Sequence, residues 1–308
     1  MTLAPLALPL APDHARHRIR VGAVDVHPIL QLHYRADPTL FFPGIRTWPV
    51  DEAAWYWREP YVVDGRLSID MGGFLVRTRD RAILIDLGVG DGKERPNPNF
   101  HERNDGWLRA LTRTGTDAAD IDTVVFTHLH IDHVGYATTR AGGTWLPTFP
   151  GATHLVTREE LDYWDSASSR AQLTRLGDYI ADSIRPLEAA GLLAAVASDH
   201  EISDEVRLFP SPGHTPGNVC IEIRSEGERA VFSGDMIHHA VQLAFPQHST
   251  DYCVDEDLAT ESRRRLLDGL GADDLLFPAH FPGGLPGRVR ADGSGGYSYD
   301  VEPGEVLT

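Results

Sequence analysis

Cysteine is nearly absent: the 308-residue chain has two, Cys220 in the apolar run "NVCIEI" and Cys253 in a polar segment. Two such residues imply no disulfide framework, and both are read as plain thiols rather than metal ligands. Lysine is scarcer still, with Lys93 alone. Acids outnumber Lys and Arg by 45 to 28, for a formal charge of -17, which repels a phosphate backbone unless basic residues gather in one stripe. The densest basic cluster, residues 263–265, sits among acids in "DEDLATESRRRLLDGL", so nucleic acid is not an expected partner. No run approaches the ~20 apolar residues a membrane span needs. The expectation is a cytoplasmic protein without a membrane partner. The opening "MTLAPLALPLAPDHARH" lacks a basic start and is broken by three prolines; residues 1–18 are therefore expected to be a flexible arm rather than a signal.

A hydrophobic content of 42% and a charged content of 24% suit one compact domain of catalytic size, placed at residues 19–308. Short β-branched runs recur, among them "GGFLVRT", "RAILIDLG", "DTVVFTH", "NVCIEIRS", "RAVFSGD" and "DLLFPAH". Helical patterns lie between them, the longest at residues 158–191. Strands and helices mix without strict alternation, which favours a layered α/β or α+β sandwich over a barrel of eight regular units. The tail from Arg290 onward, rich in Gly and Asp, is expected to be loop. "GVGDGKE" at residues 88–94 has the glycines of a phosphate loop but not the spacing.

The chain does concentrate ligand-grade side chains at the ends of apolar runs. "VVFTHLHIDHVGYAT", residues 124–138, crowds His128, His130, Asp132 and His133 into six positions. Three more runs end alike: "LFPSPGHTPGN" delivers His214, "AVFSGD" delivers Asp235, and "LLFPAHFPGG" delivers His280. Strand ends on one sheet edge can aim side chains from distant sequence into one cleft. A lone histidine among the 15 is ordinarily a surface or core residue, and His27 and His154 are read so. The cluster differs in kind. Imidazoles and carboxylates gathered without a cation leave polar groups unpaired and like charges opposed, which burial makes costly.

In order and spacing, "ILIDLG", "THLHIDHVG", "SPGHTPGN", "FSGD" and "PAHF" resemble the metallo-β-lactamase-fold hydrolases, in their lactonase-like branch of N-acyl homoserine lactonases and organophosphate hydrolases. The match runs over roughly residues 71–281. The resemblance implies an αββα sandwich with two divalent metal ions in a cleft. By position it assigns His128, His130 and His214 to one metal, Asp132, His133 and His280 to the other, and Asp235 to both. Asp86 would orient a ligand.

An imidazole and carboxylate set without thiolate suits Zn, with Mn, Fe or Co as substitutes. The implied reaction opens a lactone or cleaves a carboxylic ester by attack of a metal-bridging hydroxide, with Asp132 passing a proton to the leaving oxygen. A phosphotriesterase is the nearest alternative; a thiolester hydrolase and a mononuclear iron dioxygenase stand further off. Asp235 occupies the place of the bridging cysteine of some β-lactamases, which disfavours lactams. The aromatic insert at residues 34–61 and the loops after His133 and Asp235 are expected to rim the cleft. They suit a hydrophobic lactone or ester, with Phe42, Trp48, Trp55, Tyr136 and His238 as candidate substrate contacts. The alternative is that these aromatics pack the core or a homodimer interface.

Overall fold

The computed structural model describes residues 6–9 and 17–306. In chain order the first strands are β1 (Leu6–Pro9), β2 (His17–Val21), β3 (Val24–Ala36), β4 (Val62–Val63), β5 (Arg66–Arg77), β6 (Ala82–Ile85) and β7 (Thr123–Val125). Next come β8 (Thr138–Ala141), β9 (Thr144–Pro147), β10 (Thr153–Thr157), β11 (Leu193–Val196), β12 (Val206–Pro210) and β13 (Val219–Ser225). The last are β14 (Glu228–Gly234), β15 (Leu275–Pro278), β16 (Gly287–Ala291), β17 (Tyr297–Val301) and β18 (Glu305–Val306). The helices are α1 (Pro38–Phe41), α2 (Trp107–Arg113), α3 (Arg158–Asp165), α4 (Arg170–Leu176), α5 (Tyr179–Ser183), α6 (Arg185–Ala189), α7 (Val241–Ala244) and α8 (Glu256–Asp268).

Alternation along the apolar runs decides how these elements stack. In β6, Ile83 and Ile85 enter one core and Leu84 another; Val125 is likewise parted from Val124, Phe232 from Val231, and Phe277 from Leu276. Successive side chains leave opposite faces of a strand, so a strand covered on both faces carries an unbroken apolar run. Among the described residues, the core holding Ile83, Val125, Phe232 and Phe277 takes no buried helical residue, whereas the other holds Trp107 and Leu111 of α2, Leu187 of α6 and Leu266 of α8. The first therefore lies between two sheets and the second beneath the helices outside them. This is the αββα sandwich.

One sheet runs β11-β10-β7-β6-β5-β3-β2-β18, with β1 on β3 and β4 on β5; the other runs β12-β13-β14-β15-β16-β17. β6, β7 and β10 are mutually parallel, and so are β14 and β15. β12 pairs antiparallel with β13, and β13 with β14, which points β12 the same way as β14. The carboxyl ends of β12, β14 and β15 thus share one edge, which explains why the residues following them, His214, Asp235 and His280, can meet.

Three expectations need adjusting. The helical pattern at 158–191 is four short helices, because Gly177 (φ 88°) breaks the backbone and Pro186 begins a new helix. The tail is not loop: β16 and β17 form a hairpin at the edge of the second sheet, and β18 pairs with β2. Tyr297 and Tyr299 are buried in that hairpin. Of the arm expected at 1–18, residues 1–5 and 10–16 lie outside the described residues, Leu6–Pro9 pairs with β3, and His17 and Arg18 open β2.

The single lysine is a structural knot. Lys93 is fully buried; its Nζ donates to Thr138 Oγ1 (2.6 Å), Asp182 O (3.1 Å) and Asp182 Oδ1 (3.2 Å), and lies 3.7 Å from the Trp145 ring centre. Burial pushes its pKa down from 10.5 to about 8, against the pull of Asp182. Folded Lys93 thus releases its proton before unfolded lysine does. Between about pH 8 and 10.5 the unfolded chain binds more protons, so this group's contribution to stability rises with pH there and is flat below. In protein labelled with 15N-lysine, the one side-chain resonance is expected to titrate near pH 8. A midpoint at the ordinary lysine value would mean the ammonium is solvated.

Candidate metal centre

The seven residues singled out at strand ends converge in two groups: His128, His130, His214 and Asp235, then Asp132, His133 and His280. Within each group the ligand atoms lie within 4.8 Å of one another. Asp235 joins the groups. Its Oδ2 lies 3.3 Å from His214 Nε2 and 3.6 Å from His128 Nε2, while its Oδ1 lies 3.1 Å from His133 Nε2 and 3.0 Å from His280 Nε2. Asp132 faces the second group, with its carboxylate oxygens 3.8 Å from His133 Nε2 and 3.7 Å from His280 Nε2.

Partners behind the rings fix which nitrogen of each carries the proton. His133 Nδ1 donates to Asp86 Oδ2 (2.8 Å), His130 Nε2 to Gln172 Oε1 (3.0 Å) and His280 Nδ1 to Asp70 O (2.8 Å). Thr127 Oγ1 gives its proton to Asp86 Oδ2 (2.7 Å) and so accepts from His128 Nδ1 at 3.0 Å. With protons held outside, lone pairs point inward. His130 Nδ1 then stands 3.0 Å from His128 Nε2, acceptor against acceptor, and 2.7 Å from His214 Nε2. His133 Nε2 and Asp235 Oδ1 are buried 3.1 Å apart, yet neither is aligned for a hydrogen bond to the other or to any other described residue. Such a set fits divalent cations.

Charge balance agrees. Burial pushes His130 down to about 3 and His214 to about 4, and lowers His128 as well, so all three stay neutral, the form that ligates. Burial also opposes charge on His133 and His280, but Asp235 and Asp132 outweigh it, with Asp86 adding to the pull on His133, and both are raised. Asp235 is buried too, yet His133 and His280 hold it well below the usual carboxylate range. Cations beside Asp235 would take the place of these protons.

Asp86 lies behind the His133 ring. Its φ of 56° is in the left-handed region, which a non-glycine residue adopts only when its surroundings hold it. Here Thr127 N (2.8 Å), Thr127 Oγ1 and His133 all bond its carboxylate. A second buried carboxylate, Glu160, had not been singled out. It accepts from Leu129 N (2.9 Å), Trp164 Nε1 (2.7 Å), Thr215 Oγ1 (2.6 Å) and Gly217 N (3.1 Å), tying α3 to both the His128–His130 turn and the His214 turn. "TREE" does carry the Thr-x-x-Glu signature of a helix start, and Thr157 caps α3 through Glu160 N. The glutamate side chain, however, serves the ligand loops instead of the cap.

A cleft opens onto these groups. His130, Asp132, Asp235, His238 and His280 form its floor, and Tyr34, Phe41, Met71, Phe100, Leu176 and Tyr252 are among its walls. Of the candidate substrate residues only His238 lines it, with Nε2 3.2 Å from Asp235 Oδ2. Phe42 and Trp48 stand behind Phe41: Phe42 is fully buried against it (centroids 5.2 Å apart), and Trp48 stacks on His248 at 4.0 Å. Trp55 packs on Tyr56 and Tyr61, and Tyr136 is buried in a stack with Trp107 at 4.9 Å. The rings of those four pack against other rings, and none of the four lines this cleft. An aromatic layer was legible from the sequence, but not which face of it meets the cleft; alternation along β3 and β5 could have nominated Tyr34 and Met71.

Comparison with known proteins follows the same lines. The profile of the Metallo-beta-lactamase superfamily matches residues 73–280. N-acyl homoserine lactonase AttM of Azorhizobium caulinodans is 34% identical over 198 residues, covering 62% of this chain and 69% of that protein. Among solved structures, hydrolase AbOPH of the beta lactamase superfamily aligns with a TM-score of 0.77 at 24% identity, over 94% of this chain and 98% of its own. AidC, a dizinc quorum-quenching lactonase solved with an N-acyl homoserine product, aligns with a TM-score of 0.72 at 23% identity over the same shares. At these identities the two structures speak for a common fold.

Proposed function

The chain belongs to the metallo-beta-lactamase superfamily and is a metal-dependent hydrolase; from that premise we propose that it opens a lactone or cleaves a carboxylic ester with two divalent ions bound. The observation that carries this reading is Asp235, whose two oxygens face two separate ligand groups. His128, His130 and His214 would hold one ion, Asp132, His133 and His280 the other, and Asp235 both. Nitrogen and oxygen donors without thiolate favour Zn, with Mn, Fe or Co able to substitute. Bound there, such ions supply an activated water and polarise the attacked carbonyl.

The chain's own residues do the rest. Asp86 and Thr127 keep the protons of His133 and His128 turned outward. Asp132 has the most accessible side chain of the set, at 14%, and is placed to carry a proton to the leaving oxygen. Phe41, Met71, Phe100 and Leu176 wall the cleft against water and suit a hydrophobic acyl group, in keeping with the lactonase relative.

The test is elemental analysis of the purified protein together with a panel of lactones, carboxylic esters and aryl phosphotriesters on that same preparation. Two metals per chain with lactone or ester turnover is the expected result. Phosphotriester turnover alone would move the reading to that class, and a single iron with oxygen consumption would overturn it.

A further inference from the structure

Four of the five converging histidines are held from behind by oxygen: Thr127 Oγ1, Gln172 Oε1, Asp86 Oδ2 and the Asp70 carbonyl. Behind His214 stands sulfur. Cys253 Sγ lies 3.5 Å from its Nδ1. Backbone hydrogen bonds build this contact, since Val254 N donates to His214 O and Asp255 N to Gly213 O, both at 2.9 Å, clipping the Cys253 turn along the His214 loop. Cys253 N donates to Thr250 O (3.2 Å), and Thr250 Oγ1 lies 3.9 Å from the sulfur. Asp255 then caps α8 through Leu258 N (2.9 Å). On the other side Gly213 presses on α8 so closely that a Cβ there would fall 2.1 Å from Ala259 N. Loop, turn and helix therefore leave the sulfur little choice of neighbour.

We propose that Cys253 is a positioning residue for His214: its sulfur accepts the Nδ1 proton and so aims the Nε2 lone pair at the site shared with His130 and Asp235. The inference rests on the reading of His214 as a metal ligand. Thr250 Oγ1, 3.9 Å from the sulfur, gives the thiol's own proton a partner on the side away from His214. Thiol sulfur is a weaker acceptor than the oxygens behind the other rings. Of the two ligand groups, only the one containing His214 depends on it. Loss of Cys253 should accordingly loosen one metal and spare the other.

The experiment loads full-length protein with zinc and titrates it with a competing chelator for wild type, Cys253→Ala and Cys253→Ser, with Tm measured on the metal-free forms. Cys253→Ala is expected to hold one of two equivalents about 10- to 100-fold more weakly, the usual cost of losing a group behind a ligand, and the other unchanged. Cys253→Ser, whose hydroxyl can accept the same proton, should hold that equivalent closer to wild type, with all three metal-free Tm values alike. Wild-type affinity for both equivalents in Cys253→Ala overturns the proposal, as does serine doing no better than alanine. Loss of both equivalents together with a lowered metal-free Tm in both variants also overturns it, making Cys253 a packing group. If wild type itself takes up no zinc, the ligand reading falls first and the proposal with it.

Discussion

Asp235→Ala is expected to cut turnover by more than about 100-fold and to bring metal content from two ions toward one per chain. Losing a group that merely supports a ligand costs about 10- to 100-fold in affinity or activity, and Asp235 stands one step closer. Its Oδ1 and Oδ2 are the atoms that reach both groups, at 3.0 to 3.3 Å from His280, His133 and His214. Without this carboxylate two adjacent cations would face each other with Asp132 as the remaining acid of the set. Asp235→Asn tests charge apart from shape: it keeps the volume, and should fall almost as far. The fold should tolerate both changes, since Met236, Ile237 and Val241 beyond it pack the helix-side core independently of the carboxylate. Elemental analysis and steady-state rates on the same preparation decide. Two metals and undiminished turnover in Asp235→Ala would remove Asp235 from the centre of the mechanism.

Much of this site was legible because the candidate ligands announce themselves. An apolar run such as "LLFP" ending in a histidine fixes both a buried strand and the place where its chain leaves the sheet. Parallel β14 and β15 then bring Asp235 and His280 to one edge whatever lies between them in sequence. The groups behind the ligands carry no such signal. Glu160, Gln172 and Cys253 come from three separate segments and reach the site only through tertiary packing. Asp86 was legible because it ends a strand like the ligands themselves. The tail hairpin was hidden for a different reason: Tyr297 and Tyr299 alternate with polar residues as a half-buried strand should, but the turn "DGSGG" dominates the local composition. Its Asp292 carboxylate accepts from Ser294 N (2.7 Å), so the glycines there form a turn between strands and not a tail.

The aromatic insert divides into residues that meet the cleft and residues that hold those in place, and substitution should separate them. Phe41→Ala opens the wall beside His238 and Tyr252, whose ring centres lie 5.7 and 5.6 Å from that of Phe41. If the cleft binds a hydrophobic acyl group, kcat/KM for a long-chain substrate should fall by about 10- to 200-fold, the range a hydrophobic contact commands. A short-chain substrate should scarcely respond. Trp48→Ala should behave in the opposite way. Trp48 packs between Phe42, Phe245 and His248, one ring removed from the cleft, so its loss empties the layer behind Phe41. Stability should drop by about 3 kcal/mol, at the low end for a tryptophan because the ring is partly exposed, and long and short substrates should be affected alike. Chain-length profiles with melting temperatures on both variants make the comparison. A Trp48→Ala enzyme of normal Tm that discriminates against long chains would place the substrate on the Trp48 side of the layer, and Phe41→Ala without any chain-length effect would take the acyl group out of this cleft.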